Sequence, residues 1–125
     1  MVDYRSPFSG FSVRDVPESV AFYRDVLGLD VSEDENGMGI IHLGDDHAVL
    51  VYPKGEAHSP ASFTVLNLPV DDVTSAVAEL AERGVNFERY AGMPLGDDGV
   101  MRGHGPDIAW LTDPSGNVFA VIAAT

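Results

Sequence analysis

The stretch "IAWLTDPSGNVFAVI", Ile108 to Ile122, reads as strand, tight turn, strand. Apolar residues run up to Thr112 and resume at Val118, and between them lies Asp113-Pro114-Ser115-Gly116-Asn117. Proline presets φ for a turn, while glycine and asparagine tolerate left-handed backbone. A shorter copy of the design, "GIIHLGDDHAVLVY", runs from Gly39 to Tyr52, about half a chain earlier. Two hairpins of one design in so short a chain point to an internal duplication.

The segments upstream of each hairpin repeat as well. In the first half, "FSGFSV" alternates as a short strand over Phe8–Val13. Asp15 is a good N-cap, Pro17 suits a first turn, and Glu18 completes the capping-box spacing. Val16, Val20, Tyr23 and Leu27 then share one helical face, and Gly28 stops the helix. Strands are expected at about Asp30–Glu33, Ile40–Leu43 and Ala48–Tyr52. In the second half "ASFTVLNLPV" is a strand, and Asp71 and Asp72 can cap a helix striped by Val73, Val77 and Leu80 and closed by Gly84. "VNFERY" is the next strand, and the opening hairpin completes the set. The halves register with Asp15 over Asp71 and "LGLDV" over "RGVNF". The expectation is an α+β chain, one domain over residues 1–125, built from two β-α-β-β-β modules at about 6–54 and 60–125.

Bulk composition narrows the function. At 125 residues there is room for one sizeable core. With 7 Lys+Arg against 20 Asp+Glu, the net charge is −13, which repels phosphate backbones and argues against a nucleic-acid partner. The same surface attracts cationic small molecules, although an acidic coat also serves solubility alone. There are no cysteines, so disulfide and thiolate chemistry are out and a cytoplasmic location is expected. No apolar run approaches the roughly 18 residues of a membrane span, and the opening "MVDYRSPFSG" lacks the pattern of a signal peptide.

The duplicated unit, with "AFYRDVLGL" after the first strand and "DPSGN" before the last, resembles the vicinal oxygen chelate superfamily. That group includes glyoxalase I, fosfomycin-resistance enzymes, extradiol dioxygenases and bleomycin-resistance proteins. The resemblance covers essentially the whole chain. It implies two modules rolled into a cupped mixed sheet whose concave face holds the ligand, and a homodimer, as in many members with one pair of modules. A dimer would also cover the edges of the cupped sheets. Active members chelate a divalent metal through four strand positions, usually His, Gln or Glu. Here the glutamate that typically follows the turn is replaced by Ala120, and its first-module counterpart falls on Leu50. The first-strand positions count to Phe8 and to Thr64 or Val65. These are not a competent metal set, so neither metal nor other cofactor is expected.

What remains are candidate ligand-binding residues. His42 and Trp110 occupy matching places in the two hairpins, and Tyr52 ends the first of them. Tyr90 ends the strand before Ala91–Asp107, a loop with five of the thirteen glycines, on which Arg102 and His104 ride. A long glycine-rich loop inside a compact domain is either a lid or binding loop, or a disordered hairpin tip. Aromatic rings with a few polar groups suit a small-molecule pocket, and rings of this kind also serve as core or interface filler. Three functions compete: metal-free binding of a small cationic or aromatic molecule; a lyase, isomerase or dioxygenase whose metal is held by His58 or His104 in a shifted register; and an interaction domain with no ligand. No residue is assigned a catalytic role.

Overall fold

In the computed structural model, which describes every residue from Met1 to Thr125, two aspartates start the two helices. Asp15 accepts the Glu18 N–H at 2.9 Å, and Asp72 accepts the Ser75 N–H at 3.1 Å. These bonds satisfy amides that the first turn of a helix leaves without partners. The chain divides into two compact units, Met1–Ser59 and Pro60–Thr125.

The first unit contains β1 (Ser9–Val13), α1 (Val16–Ala21), β2 (Val31–Glu33), β3 (Gly39–His42) and β4 (Ala48–Pro53). Its sheet has the order β1-β4-β3-β2, with β1 parallel to β4 and the other pairs antiparallel. Odd-numbered residues face the helix: Val13, Val31, Ile41, Val49 and Val51 are buried with Val16, Val20 and Tyr23. A Cβ at Gly39 would lie 3.2 Å from Val20 Cγ2 and from Val51 Cβ, so the helix rests directly on this glycine. The periodicity implied one continuous helix from Val16 to Leu27. Instead α1 widens after Ala21 into a π turn, Phe22–Val26, in which Leu27 N–H reaches back to Phe22 O at 3.2 Å. Tyr23 ends up fully buried, with Phe11 and Phe22 edge-on at centroid distances of 6.4 and 6.1 Å. Gly28 then ends the segment at φ 74°, as its position demanded.

The second unit contains β5 (Thr64–Val70), α2 (Val73–Glu82), β6 (Ile108–Thr112) and β7 (Val118–Ala123). The order is β5-β7-β6, with β5 parallel to β7 and bulged between Thr64 and Leu66, and β6 antiparallel to β7. The expected strand "VNFERY" is reduced to a single bridge, Phe87 with Leu111, plus the Glu88 N–H donated to Trp110 O at 2.7 Å. Beyond Glu88 the segment is committed elsewhere, for the Arg89 guanidinium donates to Gly96 O at 2.9 Å. The loop from Ala91 to Asp107 is folded down rather than splayed. Met101 bridges Leu95 and Ile108, and Val100 is 1% exposed. An α+β fold of two small mixed sheets, each with a helix on one face, is the result. No helix is long and apolar enough to cross a membrane.

Candidate functional site

Ala109, Leu111, Phe119 and Val121 are buried toward α2, so the alternate residues of β6 and β7 face the other way. On that second face Ile108, Trp110, Thr112, Val118 and Ile122 remain half-exposed. The ladder places Asn67, Ala120 and Trp110 side by side in one row, and Glu88 continues the row through its bond to Trp110 O. Ala120, flanked by longer side chains, is fully covered.

Tyr90 stands edge-on to Trp110 with ring centroids 5.7 Å apart. Burial pushes the Tyr90 phenol above its ordinary value, and the nearby Glu88 carboxylate pushes it the same way. Glu88 Oε1 accepts the Thr112 hydroxyl at 3.3 Å. Two rings, a hydroxyl and a carboxylate thus share one face of one short sheet. Glu88 is the residue that the sequence reading passed over. A signal for it exists in the sequence, because Glu88 lies two residues before Tyr90, on the same side of an extended chain.

The other candidates are held by other elements. Arg102 donates to Asp98 Oδ2 at 2.8 Å and to Thr74 Oγ1 at 2.6 Å, which ties it to the start of α2. That pairing holds the Asp98 carboxyl below its usual range and raises the Arg102 guanidinium further. His104 is exposed on its loop. In the first unit, His42 and Tyr52 both belong to the face turned away from α1, together with Leu50, Ile40, Gly10, Ser12 and Ser32. Each histidine associated with this face has a serine partner at 2.8 Å: His42 Nε2 with Ser32 Oγ, and His58 Nδ1 with Ser12 Oγ.

The donor set does not fit a divalent metal. Leu50 lies in register with Gly10 rather than with Phe8, which precedes β1 and is 71% exposed. Ala120 lies in register with Asn67 rather than with Thr64 or Val65. These positions supply a single amide and no charge, whereas a divalent cation needs several charged or strongly dipolar ligands. No group of three or more His, Asp or Glu side chains is arranged to hold a metal. A groove of about 350 Å³ on the helix side of the second unit, lined by Val77, Val85, Phe87, Arg89 and Asp98, holds none of the candidates. Two of its charged groups are already engaged, Arg89 with Gly96 O and Asp98 with Arg102.

Residues 8–121 match the sequence profile of a family described as "Glyoxalase/Bleomycin resistance protein/Dioxygenase superfamily". Mitochondrial methylmalonyl-CoA epimerase from Mus musculus is 27% identical over 115 residues, spanning 80% of this chain and 61% of that protein's length. The crystal structure of TnmS3, an antibiotic binding protein from Streptomyces sp. CB03234, superposes with a TM-score of 0.64 at 24% identity, covering 99% of this chain and 100% of that one. A Glyoxalase/bleomycin resistance protein/dioxygenase superfamily member from Sphaerobacter thermophilus DSM 20745 superposes with a TM-score of 0.69 at 21% identity, over 96% and 98% of the two chains. Both structural likenesses speak to the fold alone.

Proposed function

This chain belongs to the glyoxalase/bleomycin resistance protein/dioxygenase superfamily, and on that premise we propose that it binds a small organic molecule with an aromatic or apolar body, without a metal. The site is the half-exposed face of the second sheet, with Trp110 as its centre. One observation carries the reading: the Trp110–Tyr90 pair stands beside Ala120, where the superfamily's chelating glutamate would stand. The charge that would hold a metal is replaced there by a methyl group and rings, which favour a flat apolar surface. The antibiotic binding protein among the structural neighbours lends this reading support by analogy of fold.

Trp110 is the only tryptophan, so its fluorescence reports on this face directly. A screen of aromatic metabolites should quench or shift that emission and raise the thermal midpoint, since a ligand bound only by the folded state must stabilise it. Trp110→Phe should weaken binding and leave the fold intact. If Trp110→Ala abolishes folding while Trp110→Phe binds as the wild type does, Trp110 is core and the site is withdrawn. A stoichiometric divalent metal in the purified, chelator-free protein would favour instead the metal-dependent enzyme of the same superfamily. The binding form is proposed to be a homodimer.

A further inference from the structure

We infer that Glu88 is the specificity-determining residue of the Trp110 face, and that the molecule taken there carries a protonated amine beside its aromatic body. This rests on the proposed binding at Trp110 and adds the chemical class of the ligand. Glu88 is half-buried, yet no ion pair engages it; the pairs Arg5–Asp3, Arg83–Glu79 and Arg102–Asp98 lie elsewhere. A carboxylate has about four lone-pair sites, and the one donor given to Glu88 is the Thr112 hydroxyl at a long 3.3 Å. The neighbouring cation in the chain, Arg89, is turned away to the Gly96 carbonyl. Glu88 therefore holds a negative charge in a partly desolvated place with acceptor capacity to spare.

The rings around it select the same partner. Trp110 continues Glu88's row, and Tyr90 lies edge-on to Trp110. Aromatic faces attract a desolvated cation, and a carboxylate beside them completes its coordination. An anion would meet Glu88 and a surface of net charge −13, and both repel it. A neutral ring would gain the apolar contact and leave the carboxylate without a partner.

Three probes of one shape separate these cases: phenethylammonium, 2-phenylethanol and 3-phenylpropionate, each titrated against Trp110 fluorescence at low salt. The ammonium should bind about tenfold more tightly than the alcohol, the ratio that one charge-assisted hydrogen bond supplies. The carboxylate should bind least. Glu88→Gln keeps the shape and the Thr112 contact, so it should lower the affinity for the ammonium far more than that for the alcohol and erase the preference between them. Glu88→Asp should restore part of the preference, and the thermal midpoint of each variant verifies that it is folded. Equal binding of ammonium and alcohol, or a preference that survives Glu88→Gln, overturns the inference and leaves the Trp110 site standing. No response to any probe in the wild-type protein overturns both.

Discussion

Asp113 closes the turn of the second hairpin. Its carboxylate accepts the N–H groups of Ser115 and Asn117 at 3.0 and 2.8 Å and the Asn117 amide at 3.3 Å, and it is 4% exposed. Asp113→Ala would strand those buried donors and should lower stability by about 2–3 kcal/mol in denaturant unfolding. Gly116 sits at φ 84°, and a Cβ there would come within 3.1 Å of Pro60 Cγ. Gly116→Ala should therefore cost more than about 1 kcal/mol, from backbone strain and contact together. Asp72 responds to acid instead. The Ser75 N–H holds its carboxyl below the ordinary 3.8. A lowered folded-state value means that the unfolded chain binds the proton more readily. Asp72 thus adds stability above the ordinary value and loses it as pH falls through the folded value. Asp72→Asn keeps a good cap and removes the titration. The stability gap between wild type and variant should be constant from about pH 5 to 8 and shrink below about pH 4.

At the scale of elements, local chemistry was legible and non-local pairing was not. The caps at Asp15 and Asp72, the Gly28 stop and the Asp113 turn each depend on residues within four positions of one another, so their spacing in the sequence was enough. The widened turn after Ala21 leaves no mark in the sequence, because apolar residues at helical spacing look alike whether or not one residue is inserted. "VNFERY" has the alternation of a strand, but ladder bonds are decided by a partner far along the chain, and the loop claims its second half. Position on the loop groups Arg102 with the aromatic residues. Its bond to Thr74, 28 residues away, left no trace in the sequence. The loop that suggested a lid instead contributes Val100 to the core. Val100→Ala should accordingly lower the thermal midpoint, at a cost of about 1–3 kcal/mol, where a residue of a mobile lid would be indifferent.

Across the molecule, the charge of −13 has a thermodynamic reading as well as a recognition one. Self-repulsion opposes the compact state, so moderate salt should raise the thermal midpoint while weakening any cationic ligand. The sheets end in open edges, β1 and β2 in one unit and β5 in the other. A second copy is the partner proposed for the exposed surface, and light scattering at micromolar concentration should give twice the mass of the chain. A single-chain mass would refute it. The order of strands has one more consequence, for the timing of synthesis. In the first unit β1 waits for β4, which is made by residue 53, so that sheet is complete while the ribosome is still translating the rest. In the second unit β5 has β7 as its sole ladder partner, and the Ala61 N–H is held by Asn117, 56 residues further on. The second unit therefore closes its sheet later than the first, because β5, made by residue 70, must wait for β7, which begins at residue 118.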